Sequence, residues 1–379
     1  MIAAALAAAY LALLLLKAWL ALRAAGRAPK PAGADLSRVV IVQPVLSGDP
    51  GLETTLADNL RTLPTARFVW VVDEDDAAAR EICGSSRDQF AGTRIEILVV
   101  PPPPDGENPK LFKLERARVA LGDDVLLVLD DDTRMPAASL LALLDGLDRS
   151  ALSTGLPGCL DDGRWPSRLL AQFVNNNAAL TYLPLLNILP PVTINGMAYA
   201  MRSGTVTAIG GFGSIARSIT DDLAVARLVM ATGRTICQTA SPVWVQTTVR
   251  DGRHYVRQMH RWFVFAWLLL RRQPPGVQAL VSVLHGAPPV LLWAAGAVMA
   301  LDPTPAAIVA FAAALVLRAL VLILLQLRIY GRAVHQPLFS VASELLQPLH
   351  ILHALLQRTI VWRTRCYRVR DDQTFEAVP

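Results

Sequence analysis

Val125-Leu126-Leu127-Val128-Leu129-Asp130-Asp131-Asp132 is the stretch on which the reading of this chain turns. Its run of apolar, mostly branched residues predicts a strand buried on both faces, as in a parallel sheet covered by helices. Ligands of open α/β sheets bind at the carboxyl ends of the strands, and here that end carries three carboxylates. Side chains alternate along extended backbone, so Asp130 and Asp132 are expected to point one way and Asp131 the other. Two hard oxygen donors on one side suit Mg2+ or Mn2+, with waters and substrate phosphates completing the shell. The plainer alternative is a solvated acidic turn capping the helix that Pro136 opens.

Upstream, strands and helices alternate. Val39-Val40-Ile41-Val42 reads as a buried strand closed by Gln43-Pro44, and Leu52 to Leu60 has helical spacing behind Asp49 and Pro50. Phe68 to Val72 is a second strand, ending in Asp73-Glu74-Asp75-Asp76, and Arg94 to Val100 a third, stopped by prolines. Asn108-Pro109-Lys110 opens a helix through about Leu121. Such a βαβαβ run predicts a mostly parallel sheet with right-handed crossovers. No GxGxxG follows the first strand, which disfavours a dinucleotide-binding domain.

Downstream, Pro136 to Arg149 reads as a helix, Leu152 to Pro157 as a strand, and Trp165 to Leu180 as a helix followed by an apolar segment broken by Pro184. Gly196 to Arg202 is a strand, and Ser218-Ile219-Thr220-Asp221-Asp222 starts a helix to about Thr232 with Gly233 closing it. Acidic residues in a first turn ordinarily complement the helix dipole, and that role covers Asp221. Arg234 to Val249 supplies one or two strands. A helix from about Asp251 sets Gln258, Arg261 and Trp262 on one face and continues as an interfacial stretch to Arg271-Arg272.

The 379 residues are 53% hydrophobic and 18% charged, and the apolar ones gather at the two ends of the chain. Met1 to Leu22 is long enough to span a bilayer core, with Arg23, Arg27 and Lys30 after it; the positive-inside rule then puts the following domain in the cytoplasm. Val277 to Leu301 and Ala306 to Leu327 are also long enough, with Arg318 in the second expected to face protein or snorkel. Leu338 to Trp362 is interrupted by Glu344, Gln347, Pro348, His350 and His353. If it spanned, the basic tail would face outside, so a re-entrant or in-plane element is expected. The organisation expected is therefore a membrane helix at 1–22, a basic Pro/Gly linker at 23–37, a cytoplasmic catalytic domain at 38–250, an interfacial helix at 251–272 and a membrane region at 273–379. The net charge of +5 is small for the length, and no basic run interleaves with aromatics, so no nucleic-acid partner is expected. Cys83, Cys159, Cys237 and Cys366 form no CxxC pair, against a zinc or disulfide framework.

In these motifs the chain resembles the membrane-bound family-2 and family-21 type glycosyltransferases, the ceramide glucosyltransferase branch most closely. The resemblance covers about Val39 to Arg272 and resumes in the tail. Asp73-Glu74-Asp75-Asp76 resembles the nucleotide-binding aspartate motif, Asp130-Asp131-Asp132 the DxD metal motif, Thr220-Asp221-Asp222 the (T/E)-(E/D)-D motif of the catalytic base, and Gln258-Met259-His260-Arg261-Trp262 the (Q/R)xxRW motif. Asn108-Pro109-Lys110 and the tail from Trp362 to Arg370 are similar to the ceramide branch in particular. Two departures stand out: the full Asp triplet, looser in that branch, and a poor match from Gln43 to Pro50.

The resemblance implies a GT-A type nucleotide-sugar-binding domain with a mixed, mostly parallel sheet, plus N-terminal and C-terminal membrane helices. It implies an inverting transfer of a sugar, glucose in the nearest relatives, from a UDP-sugar to the hydroxyl of a ceramide-like lipid. Asp222 would be the catalytic base and Asp130 and Asp132 the ligands of Mg2+ or Mn2+. Asp73 or Asp75 would contact uracil or ribose, Asp130 the metal or ribose, and Lys110 and Arg261 the diphosphate. Gln258 belongs to the same donor-side motif, and Trp262 would wall the pocket. The nearest rivals are transfer to another lipid such as a hopanoid, use of another UDP-sugar, a polysaccharide synthase, and a non-catalytic membrane scaffold. Helix-start position lowers the pKa of Asp222 and burial raises it; the sequence leaves that balance open.

Overall fold

The computed structural model describes residues 1–27, 35–122, 124–362, 365–369 and 375–378. Residues 28–34 of the linker, and Arg363, Thr364 and Arg370 of the basic tail, lie outside the described residues. The chain packs as two units. One comprises Met1–Arg27, Gly163–Ile188 and Val249–Tyr367; the other is built from the described residues of 35–162, Leu189–Thr248 and 368–378.

The second unit is a mixed eight-stranded sheet in the order β3-β2-β1-β4-β7-β6-β8-β5. Its strands are β1 (Val39–Pro44), β2 (Arg67–Asp73), β3 (Arg94–Val100), β4 (Val125–Leu129), β5 (Thr133–Arg134), β6 (Leu152–Cys159), β7 (Ala198–Arg202) and β8 (Ile236–Val245). The first four strands are parallel, with Val42 beside Val128 and Asp73 beside Val100; β7 then runs antiparallel to β4. This is the expected α/β class.

Alternation along the strands builds two cores. Val40, Val42, Val69, Val71, Leu126, Val128, Tyr199 and Met201 face one layer of helices. Val39, Ile41, Phe68, Trp70, Val72, Leu127, Leu129, Ala198 and Ala200 face the other. The helices in chain order are α1 (Ile2–Ala25), α2 (Leu52–Thr62), α3 (Ala77–Gln89), α4 (Pro109–Ala117), α5 (Ala137–Gly146), α6 (Trp165–Leu185), α7 (Ser203–Ala208), α8 (Asp221–Ala231) and α9 (Gly252–Arg271). Leu111 and Leu114 of α4 and Val225 and Val229 of α8 fill the first core, while Leu56 and Leu60 of α2 and Leu140 and Leu143 of α5 fill the second. The chain switches sides between β1 and β4, which opens a crevice at their carboxyl ends.

The first unit contains three helical stretches long and apolar enough to cross a membrane: Ile2–Ala25, Pro275–Leu301 and Pro305–Tyr330. Its helix α6 runs through Pro184, past the expected end at Leu180. A proline so near the C-terminal end removes one hydrogen bond of the last turn and leaves the preceding turns intact. Residues 338–362 form two short helices, Pro337–Leu345 and Gln347–Leu356, and a strand, Thr359–Trp362.

Arg318 faces protein, as expected, and is only 1% exposed. Its Nε donates to Glu344 Oε2 at 2.6 Å, its Nη1 to Ser340 Oγ at 2.7 Å and its Nη2 to the Ser340 carbonyl at 3.0 Å. Tyr10 of α1 donates to the same Glu344 oxygen at 3.1 Å. Removing one partner of a buried pair leaves the other charge uncompensated. Glu344→Ala is expected to lower stability by about 3–5 kcal/mol, seen as a large drop in Tm of the detergent-solubilised protein, whereas Arg318→Met combined with Glu344→Met recovers most of the loss.

Candidate active site

The acidic triplet follows directly on β4 in a turn, closed by the Thr133 N–H donating to the Asp130 carbonyl at 3.1 Å. Asp130 continues the parity of Leu126 and Val128 and meets α4, where Lys110 Nζ stands 2.6 Å from its Oδ1. Asp131 turns to the other face and accepts the Leu46 N–H at 2.8 Å, pinning the loop after β1. Asp132 accepts the Thr133 hydroxyl at 3.1 Å and the Thr247 hydroxyl in a short bond. Asp131, buried and turned to the loop after β1, is thus kept apart from the lysine that Asp130 meets.

Lys110 is the centre of the cluster. Besides Asp130 it reaches Asp221 Oδ2 at 2.9 Å and donates to the Gly196 carbonyl at 2.7 Å. Asn108 sets it there. Its Oδ1 caps α4 by accepting the N–H groups of Lys110 and Leu111, its Nδ2 donates to the Ser218 carbonyl at 2.9 Å, and its own N–H reaches the Ala216 carbonyl at 2.7 Å. Pro109 occupies the first helical position, where no N–H is missed. The beginning of α4 is thereby tied to the loop that leads into α8.

Thr220 stands at the N-cap position of α8 without a side-chain capping bond, and Asp221 and Asp222 occupy its first turn. The Leu223 N–H donates to Asp222 Oδ1 at 2.7 Å, fixing the carboxylate's orientation. Burial, reinforced by the charge of Asp221, outweighs that N–H and the more distant Lys110, and pushes Asp222 up to about 7. The balance left open by the sequence therefore falls to burial. Asp130 is pushed up to about 6 by burial and by Asp132 and Asp221, against the pull of Lys110. Burial opposes the charge of Lys110, yet Asp130 and Asp221 together raise its pKa and keep it an ammonium.

Asp130, Asp132, Asp221 and Asp222 outnumber the ammonium set among them, so the cluster has the charge to accept a cation. Among the described residues no group of three His, Cys, Asp or Glu forms a complete metal cage. Asp130 and Asp132 instead offer the partial oxygen set that suits Mg2+ or Mn2+ held jointly with substrate phosphates. The residues present fit such an ion.

The remaining expected residues divide. Asp73 ends β2, buried and paired with Lys113 at 2.9 Å, while Asp75 is exposed on the following turn. Asp76 caps α3 and holds the Ser47 N–H at 2.9 Å. Gln258, Arg261 and Trp262 lie on α9 in the other unit. There Arg261 donates to Gln258 Oε1 at 3.1 Å, and the Trp262 ring stacks on Phe173 with centroids 6.3 Å apart.

A model of glycosyl transferase family 21 matches residues 1–375. The chain belongs to that family. This glycosyltransferase shares its fold with the mannosyltransferase PcManGT from Pyrobaculum calidifontis, solved with GDP-Man and Mn2+: identity is 18%, coverage 94% of this chain and 97% of that one, and the TM-score 0.52. S. aureus TarS 1–349 with UDP-GlcNAc gives 11% identity over 89% and 98% of the two chains, with a TM-score of 0.37. Glucosyl-3-phosphoglycerate synthase from M. tuberculosis gives 14% over 62% and 86%, with a TM-score of 0.35. No curated protein matches the chain. Family and fold together make this a GT-A type, nucleotide-sugar glycosyltransferase.

Several residues of the site were not singled out from the sequence. Lys113, Thr247 and Gly196 owe their places to contacts with residues far away in the chain, and nothing local distinguishes them. Gly196 has a definite reason to be glycine: a Cβ there would stand 3.1 Å from Asp221 Oδ2 and 3.3 Å from the Cβ of Asp222. Gly196→Ala is expected to displace both carboxylates by a few tenths of an ångström and to reduce kcat by about 10-fold or more, with Tm nearly unchanged. Steady-state kinetics beside thermal unfolding checks this.

Proposed function

We propose that this glycosyltransferase moves glucose from UDP-glucose to the primary hydroxyl of a ceramide-like membrane lipid, inverting the anomeric centre, in a domain that faces the cytoplasm. The observation that carries the reading is the juxtaposition at the switch point. A carboxylate poised near neutrality, Asp222, shares one cluster with a pair of metal-suited carboxylates, Asp130 and Asp132. Asp222 takes the proton from the acceptor hydroxyl as its oxygen attacks the anomeric carbon, and the bond from that carbon to the diphosphate breaks. A base titrating near the working pH suits that task. With one oxygen fixed by the Leu223 N–H, the other is left for the hydroxyl.

Asp130 and Asp132 would hold Mg2+ or Mn2+, which supplies charge neutralisation to the departing diphosphate when bound; PcManGT, of the same fold, was solved with Mn2+. Lys110 keeps Asp130 and Asp221 in register for that role, and its ammonium adds positive charge beside the diphosphate. Asp73 binds the uracil side of the donor. The lipid acceptor is supported by the unit that carries Gln258, Arg261 and Trp262. The helix bearing them continues into Phe263-Val264-Phe265-Ala266-Trp267-Leu268, and the same unit holds three apolar helices of spanning length. Incubating the purified protein with a panel of UDP-sugars and total lipid, then identifying products by mass spectrometry, tests the reading. A hexosylated ceramide supports it; a product on another lipid class, or none with any UDP-sugar, overturns it.

Asp132→Asn is expected to abolish turnover and to weaken metal-dependent nucleotide binding, measured by calorimetry with and without Mn2+. Asp222→Asn is expected to leave donor affinity nearly intact while cutting kcat on the order of 10²–10⁴-fold. The pH profile carries the sign of the Asp222 shift. A base must be deprotonated, so kcat should rise with pH along an acid limb at or somewhat below about 7, because a bound cation pulls the carboxylate down, and Asp222→Asn should lose that limb.

A further inference from the structure

Lys113 lies one turn along α4 from Lys110 and points to a different place. It is 3% exposed; its Nζ stands 2.9 Å from Asp73 Oδ2 and donates to the Val45 carbonyl at 2.8 Å. Val45 follows β1, and Asp73 ends β2. One buried ammonium thus joins the carboxyl ends of two neighbouring strands beside the switch point. Burying an ammonium is costly unless it is paired and hydrogen-bonded, and both its acceptors lie at this crevice.

Asp73 is left half used. Its Oδ1 is buried and has no hydrogen-bond partner among the described residues. An ionised carboxylate only accepts, so this oxygen matches a ligand N–H or O–H. Its acidic neighbours differ. Asp76 is occupied by the N–H groups of Ala79 at 3.0 Å and Ser47 at 2.9 Å, and Asp75 is exposed on the turn.

We propose that Lys113 is a positioning and specificity residue for the donor: it holds Asp73 by Oδ2 so that Oδ1 accepts the ring N–H of the nucleobase. Uracil presents such an N–H. Cytosine presents an acceptor at the same ring position, and two acceptors facing each other in a desolvated site leave both unpaired. The inference rests on the UDP-sugar reading above and adds a residue that favours uracil over cytosine.

The test is calorimetric titration of the full-length protein in detergent with UDP and with CDP, alongside donor kinetics. Lys113→Gln retains a donor for the Val45 carbonyl and removes the charge; Lys113→Met removes both. Each is expected to weaken UDP by at least about 10-fold and to leave CDP within about 3-fold, so that the preference collapses. KM for the donor should rise while kcat at saturation stays within about 3-fold, and Lys113→Arg should keep most of the preference. If Lys113→Met fails to fold, Lys113→Gln decides. An unchanged UDP-to-CDP ratio, whether both nucleotides weaken together or neither does, overturns the inference and leaves Lys113 a structural prop. A wild-type protein that binds UDP no better than CDP overturns the UDP-sugar reading itself, and the inference falls with it.

Discussion

One ammonium placed among carboxylates is the constraint on which this site depends. Lys110 stands within 2.9 Å of both Asp130 and Asp221 and donates to the Gly196 carbonyl. Those partners come from the end of β4, the start of α8 and the segment before β7. Without the lysine, their like charges would push apart the elements that form the crevice. Asn108 and Pro109 make the placement possible, the first by capping α4 and clamping the 216–218 loop, the second by fixing the backbone of the first helical turn. Asn108-Pro109-Lys110 is therefore a mechanical device as much as a chemical one.

The cluster also carries more negative charge than Lys110 neutralises, and the excess has two consequences. It adds to the burial that lifts Asp222 and Asp130 towards neutral pH. It also leaves the site poised for a divalent cation, whose arrival would lower both carboxylates again. The charge of a cation and the protonation of these carboxylates are then linked through one electrostatic balance.

Much of this was legible in the sequence, and the reason is periodicity. The run from Val125 to Leu129 reads as a strand covered on both sides, and β4 is that strand, with Leu126, Leu127, Val128 and Leu129 buried. The capping pattern at Thr220-Asp221-Asp222 was equally local. What escaped was set by distance along the chain: Lys113 meets Val45, Lys110 meets Gly196, and Thr247 meets Asp132, each pairing across a separation that no local pattern records. The sign of the Asp222 shift escaped for the same reason, because burial is a property of the assembled fold. The extension of α6 through Pro184 was missed because the proline rule is strict only within a helix interior.

The region 338–362 turns on a different physical point. Glu344, Gln347 and His350 interrupt its apolar run, and a re-entrant or in-plane element is what the sequence leads one to expect. In the fold the polar side turns inward: Ser340 and Ser343 are at most 1% exposed, Gln347 is 7% and His350 5%. Glu344 holds Arg318, and His350 Nε2 is 3.3 Å from the Tyr255 hydroxyl. The exposed face carries Leu338, Leu349, Leu352, Leu355 and Leu356. This is the reverse of the pattern of a helix on a water-soluble protein, which buries its leucines and exposes its polar groups. At about 1.5 Å per residue neither short helix is long enough to span a hydrocarbon core. A pair of short helices, polar within and apolar without, is stable where the surroundings are themselves apolar.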